Sequence, residues 1–465
     1  MKRLMSLSFV ISCVTLAASS QRPGGHLSVS SAEAQHWTLR QCMQYAVEHN
    51  HEVKRAELEL DNYKAGRTGA VGRFLPAATV GIGAQYNFGR AIDPETNIYT
   101  DVSTFNNGYQ LQASLPIFDG FGRIHALRAA KAGVLMGQNA LRQQQSQTAL
   151  SVLQAYANAV YYEGLVRMAQ EKVGEMTLLL RQTRLLEEVG RKSLADVAQV
   201  ESQKAEADYE LTRQQNLYAS ALLELKTAMG YPLSESLTPD PSRWGEGSNY
   251  TAAEESRDEE STPLPPAGGA GGGAVGAGEE AVARYQMEVA KHEWRQAHAA
   301  LYPSLSLSAG LNTTYFHTLH SDAGQAFHTQ FKNNMGEYVG ATLSISLFNR
   351  LQSVMSIRRA KNNYRIACEN YEQKKLELEK LSREAWHDWQ DYQEQTRQMK
   401  EKVEADSIAY LLTRRQFDEG LSTAIDLRTT SAQLLNSKAT LLQCRLMAIV
   451  KEHLVRYYHG EQIWE

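Results

Sequence analysis

The sequence predicts an α+β membrane protein that is internally duplicated, with four transmembrane β-strands and long coiled α-helical hairpins in each chain. Three observations carry this prediction. A stretch of about 120 residues occurs twice, ten-residue runs of alternating apolar and polar residues precede or open each copy, and the remainder of each copy is almost free of proline. A repeat of that length outranks any local motif as a sign of architecture.

The first copy runs from Gly108 to Gly230 and the second from Val339 to Gly460. Ser114 falls on Ser344, Phe118 on Phe348, Lys131 on Lys361, Gly190 on Gly420 and Asp196 on Asp426, all at one spacing of 230 residues with no gap. The resulting organisation is a leader at 1–34, a first repeat at 35–230, an insertion at 231–281 and a second repeat at 282–465.

Composition limits the alternatives. Mean hydropathy is −0.43 and 22% of residues are charged, which suits elongated elements better than bulky cores. The formal charge is −4 and no Lys/Arg block is long enough to follow a phosphate backbone, so no nucleic-acid partner is expected. Cys13, Cys42, Cys368 and Cys444 form no CxxC pair, and none has a histidine at zinc spacing. Lys2-Arg3 followed by the apolar run Leu4 to Ala18 reads as a secretory signal. Cleavage could fall near Ala18 to Gln21 or just before Gln35, and Val10-Ile-Ser-Cys13 resembles a lipoprotein box that would leave Cys13 acylated. Elsewhere no run of 18 apolar residues offers a membrane-spanning helix.

Taken in order, a helix begins after the Thr38 cap with Leu39, Met43, Ala46 and Val47 at helical spacing. A second is expected from Glu52 to about Ala65, with Gly66, Gly69 and Gly72 loosening the chain before Pro76. From Thr79 to Phe88 the alternation is strict, and Tyr109 to Ile117 repeats it. The second half supplies the same pair, from Ser304 to Asn312 and from Val339 to Phe348. Ten residues is the length of a tilted transmembrane strand. Four strands cannot close a barrel and open edges are not tolerated in lipid, whereas three chains pooling twelve strands would satisfy every edge. A soluble sandwich of two hairpins would leave the helical regions with no sheet to cover. Paired hairpins place both termini and both helical regions on one side of the membrane, the periplasm after export.

None of the eleven prolines lies between 117 and 231 or after 303. Proline costs about 3 kcal/mol inside a helix, so each stretch can be helical throughout. Gly190 and Gly420 read as the turns between paired helices of roughly 60 to 70 residues each, about 100 Å long. The insertion combines an acidic run, prolines 263 to 266 and a Gly/Ala tract. It contains Gly271-x-Gly273-x-x-Gly276, but no strand precedes this and the run is low in complexity, so no cofactor is expected.

Signal, strand pairs, helical hairpins and gapless duplication together resemble the outer-membrane efflux protein (TolC) family. The hairpin tips are the most specific pieces: Glu188-Val-Gly-Arg-Lys-Ser-Leu-Ala-Asp-Val197 and Asp418-Glu-Gly-Leu-Ser-Thr-Ala-Ile-Asp-Leu427, each a glycine turn followed six residues later by Asp. The resemblance implies a homotrimer, with a 12-strand β-barrel in outer-membrane lipid continued by a 12-helix periplasmic tunnel. It also implies a passive exit duct of an efflux or type I secretion system, docked on a periplasmic adaptor and an inner-membrane pump. The docking tips would be Val189, Gly190, Arg191, Glu419, Gly420 and Leu421. Asp426 matches a ring-forming acid of the family's periplasmic gate and Asp196 a latch acid, while Thr429, Phe417 and Ser422 stand where the family has a second acid, a latch Tyr and a latch Arg. Arg191, Lys192, Arg415 and Arg428 are candidate substitutes, and an acid near a helix start also serves simply as a cap. Trp386 and Trp389 read as packing, and His317, His320 and His328 as a plain surface loop with no metal.

Other classes fare worse. A structural or adhesive surface coiled coil would not need membrane-length alternating strands. No HExxH, GxSxG or P-loop supports a hydrolase, so no enzyme is expected.

Overall fold

In the computed structural model the described residues are 36–92, 98–101, 103–234, 237–239, 277–319 and 325–464. The expectations for the leader, for Cys13, for most of the insertion with its glycine fingerprint and for His320 lie outside them.

Four strands form one antiparallel sheet in the order β1-β2-β3-β4: β1 Ala77–Asn87, β2 Thr104–Asp119, β3 Ser304–Thr318 and β4 Gly336–Ser344. Register sorts the side chains by face. Val80 pairs with Leu111 and Leu111 with Leu311, while Ala309 pairs with Val339. On the opposite face Ala77, Ser114, Ser308 and Gly340 lie in one row, and Gly81, Gln110, Asn312 and Gly336 in another. Val80 is 73% exposed and Val339 78%. One face is thus largely apolar, bare along Val80 and Val339 and capped at one end where Phe327 and Phe331 lie on Tyr109 and Tyr315, and the other is mainly small and polar, the division that a lipid-facing barrel wall requires. Among the described residues no further strand pairs with the outer strands β1 and β4.

The ladder of β4 stops at Ser344, short of the expected Phe348. Ser344 pairs with Ser304, which follows Pro303, and proline has no donor to extend the pairing. The expected surface loop after β3 contains a short helix, α6 in chain order (Phe327–Asn333). Gln330 Oε1 accepts from Phe316 N at 3.0 Å and Nε2 donates to Phe316 O at 2.9 Å, covering the edge of β3 that β4 leaves open. His317 is the penultimate residue of β3 and His328 lies in α6.

The helices are α1 Leu39–His49, α2 His51–Gly72, α3 Gly122–Glu188, α4 Leu194–Met229, α5 Ala277–His298, α7 Gln352–Asp418 and α8 Ala424–Tyr458. Among the described residues no helix is long and apolar enough to cross a membrane. The two long helices have 67 residues each, as the proline-free stretches predict, but their partners have 36 and 35. The expected equal arms are corrected by the C-terminal stops. Gly230, at φ 70°, ends α4 against Asn50, whose Nδ2 donates to Ala228 O at 2.9 Å. Asn50 is also the N-cap of α2, so α2 takes up the line where α4 leaves it. At the matching place Tyr457 of α8 donates to Glu279 of α5 at 3.0 Å. Each long helix therefore runs beside short ones, α4, α2 and α5 along α3, α8 and α5 along α7.

α2 also continues through Gly66 and Gly69 rather than loosening there. Val53, Leu60 and Ala70 are buried on its inner side. The ring of Tyr63 lies where a Cβ on Gly137 would be only 2.7 Å away, so small residues on α3 let the two helices close up. The largest buried cluster lies where α1 crosses the bundle: Cys42, Met43 and Ala46 meet Val152, Leu153 and Tyr156 of α3 and Leu225 and Met229 of α4. Thr38 caps α1 in a reciprocal box with Gln41. Trp386 and Trp389 pack beside Leu378, Ala385 and Val455.

Candidate functional site: the paired hairpin tips

Two turns of like geometry close the hairpins. Gly190 (φ 74°) and Gly420 (φ 78°) are left-handed, and no heavy atom lies within 4 Å of a Cβ built on either, so conformation rather than space demands glycine. Arg191 N donates to Leu186 O at 2.8 Å, and Leu421 N to Gln416 O at 2.7 Å, each tying off the end of a long helix. Val189 is 69% exposed and Leu421 76%, so the tips present apolar side chains to solvent. Gly190, Arg191, Glu419 and Gly420 are exposed beside them.

Asp196 and Asp426 are the third residues of α4 and α8, and each closes a capping box. Asp196 Oδ2 accepts from Ser193 N at 2.9 Å and from Ser193 Oγ at 2.8 Å. Asp426 Oδ2 accepts from Thr423 N at 3.0 Å, from Thr423 Oγ1 at 2.6 Å and from Ser422 Oγ at 3.3 Å. These bonds hold both carboxyls below the usual carboxylate range: backbone then side chain of Ser193 for Asp196, side chain then backbone of Thr423 for Asp426. Both acids are therefore occupied within their own hairpins. Thr429 likewise donates to Ile425 O, at 2.9 Å.

What joins the two hairpins is apolar at its centre. Phe417, 3% exposed, lies in a cluster with Met176 and Leu179 of α3, Val200 of α4, Tyr410 of α7, and Ala424 and Leu427 of α8. Lys192 Nζ sits 4.1 Å from the centre of the Phe417 ring. Polar links surround the cluster. Arg428 meets Glu206 at 3.0 Å, Arg414 meets Glu175 at 3.7 Å, and Gln182 donates to Asp418 at 3.4 Å. Buried Gln203 donates to Ala424 O at 3.3 Å, and Lys172 donates to Ser431. Of the four candidate cations, Lys192 and Arg428 make these inter-hairpin contacts. Sequence reasoning missed Gln203 and Glu206. Their signal was the stripe Val200, Gln203, Ala207, a 3.5-residue seam interrupted by one polar residue.

An uncovered apolar sheet joined to helices of about 100 Å with stitched tips defines a channel component of a bacterial envelope. The chain belongs to the outer membrane efflux protein family, whose model matches residues 42–231 and 281–452. Among solved structures it is similar to the outer-membrane protein VceC of Vibrio cholerae, at 15% identity and TM-score 0.73, over 91% of this chain and 96% of that one. It is similar to CusC at 16% identity and TM-score 0.76, over 94% and 96%. It is also similar to the Campylobacter jejuni outer-membrane channel CmeC at 15% and 0.74, over 91% and 85%. No curated protein matches the sequence.

Proposed function

We propose that three copies of this chain form the outer-membrane exit duct of a tripartite efflux or type I secretion system, a passive conduit that performs no chemistry of its own. The observation that carries this reading is the four-stranded sheet. Its apolar face is bare along Val80, Ile82 and Val339 and, among the described residues, no further strand lies beside either edge, while its strands lead into helices long enough to reach deep into the periplasm. Lipid suits the face, and neighbouring copies suit the edges.

The tips are the periplasmic end of the duct and the surface offered to an adaptor, through Val189, Arg191, Glu419 and Leu421. An inner-membrane pump supplies the energy. In the resting state Phe417 and its cluster draw the two hairpins together, with Arg428–Glu206 and Lys192 at the margin. Asp196 and Asp426 keep the turns in shape for that closure, and Ser422 and Thr429 flank them. Opening separates the hairpins at this apolar clamp, which has two packings to choose between and can be biased by a bound adaptor.

Replacing Gly420 by Val tests the docking assignment. A β-branched residue strains a left-handed position, so the turn must change shape. Export by cells carrying the variant should be abolished while outer-membrane trimers persist. Normal export with a normal trimer would refute the role given to the tips.

A further inference from the structure

The parts of the helices nearest the sheet differ in charge from the rest of the chain. Residues 62–76, 120–135, 289–303 and 349–365, which hold the sheet-proximal ends of α2, α3, α5 and α7, contain thirteen Lys and Arg and a single acid, Glu293. The whole chain has 48 basic and 52 acidic residues, so the bias is local. Among the described residues only Lys64 and Arg123 of the thirteen meet a carboxylate within 4.0 Å, and all but Arg123 and Lys291 are exposed.

This basic band borders a hollow of about 380 Å³ lined by Arg73, Arg123, Gln296, Tyr302 and Ser346, together with Asp119, Ser304 and Ser344. Strand register tells which side of the sheet the hollow is on. Asp119 pairs with Ser304 and Ser304 with Ser344, so the three stand in one row, on the same face as Ser114, Ser308 and Gly340. That is the small, polar face. Arg123 Nε donates to Asp119 Oδ2 at 3.2 Å and Nη1 to Arg73 O at 3.3 Å, which fixes the guanidinium and leaves it donors to spare. Arg73 is exposed beside it and meets no carboxylate among the described residues. Helix capping does not require this charge. At the matching start of α7 a neutral pair serves, with Asn349 Oδ1 accepting from Ser353 N at 3.4 Å.

We infer that the base of the barrel is an anion-selecting vestibule, in which Arg73 and Arg123, backed by the basic band, concentrate cargo bearing carboxylate or phosphate groups as it passes from the tunnel into the barrel. The inference rests on the exit-duct reading above, in which the polar face of the sheet is the lumen, and it names a cargo class for that duct. Guanidinium groups suit planar or tetrahedral oxyanions because their donors form a fork. Asp119 offsets one of the two arginines, and the rest of the band leaves the net charge strongly positive. One sign of charge on a low-dielectric wall raises the local concentration of its counter-ions by about 10- to 1000-fold. Each chain supplies one Arg73–Arg123 pair, so three chains give a ring of three, the arrangement by which charged side chains select ions in other pores.

The test puts a reporter thiol in the hollow. S346C in the full chain is labelled in intact cells with two small methanethiosulfonates, one carrying a sulfonate and one a quaternary ammonium. Both are added from outside, so the tips need not open, and the parent protein gives the background of the native cysteines. Relative to a free small thiol, the ratio of anionic to cationic rate should rise about tenfold and shrink in high salt. R73Q added to S346C should lower the ratio while leaving the Arg123–Asp119 contact in place, and R73Q with R123Q should lower it further. A ratio equal to that of the free thiol, or one that R73Q leaves unchanged, would overturn the vestibule and leave the duct reading standing. A trimer whose S346C reacts with neither reagent would overturn both, because the polar face would then not be open to the lumen.

Discussion

Phe417 has an aromatic side chain but no hydroxyl, and its surroundings suit that chemistry. Met176, Leu179, Val200 and Leu427 enclose the ring, and the ammonium of Lys192 lies over it. Truncating a buried Phe to Ala costs about 3–5 kcal/mol, here drawn from the contact between hairpins as well as from each hairpin. Phe417→Ala should therefore raise the resting conductance of the duct in planar bilayers while leaving trimers in the membrane. A conductance equal to that of the parent would place the constriction elsewhere. Sequence reading singled out Phe417 as a position where the family's latch Tyr is replaced, but its partners lie on three other helices, more than 200 residues away in the case of Met176 and Leu179, and no local period reports them. Asp196 and Asp426 are the reverse case. Their spacing from Ser193 and Thr423 is a capping signature readable in the chain itself, S-x-x-D and T-x-x-D, and the bonds are those that the signature calls for.

At the scale of elements, the long helices were legible because absence of proline is a direct physical statement about backbone hydrogen bonding. Their short companions were not. End-to-end abutment, as at Asn50 and Gly230, leaves no mark in hydrophobic period, since the seam simply passes from one helix to the next. The helix seams also hold histidines that tie stability to pH. Desolvation, then the charges of Arg128 and Arg295, keep His125 below its ordinary value. His292 is lowered by desolvation, by His125 and by the same two arginines, with Glu288 acting weakly the other way. His453 of α8 is pulled down to about 4 by desolvation and by Arg456. A histidine lowered on folding binds fewer protons in the native state than in the unfolded chain, so stability is full above the unfolded value of 6.5 and declines as pH falls below it. For His453 the decline should be on the order of 3 kcal/mol by the time pH reaches its folded value. The Tm of the solubilised protein should fall between pH 7 and pH 5, and His453→Gln should flatten that fall. A pH-independent Tm in the parent protein would contradict the assignment.

At the scale of the whole molecule, the decisive sequence features were alternation and duplication. Alternation predicts a sheet with one apolar face, and duplication predicts that four strands come as two related hairpins, joined here by β2 and β3. Among the described residues no strand lies beyond β1 or β4, so both edges are left for neighbouring copies to pair with. The central claim is that three such chains complete one another. Native mass spectrometry of the protein extracted from outer membranes in detergent tests it most directly. The account predicts a single species of three chains that requires detergent to remain in solution, whereas a monomer that stays soluble without detergent would contradict it.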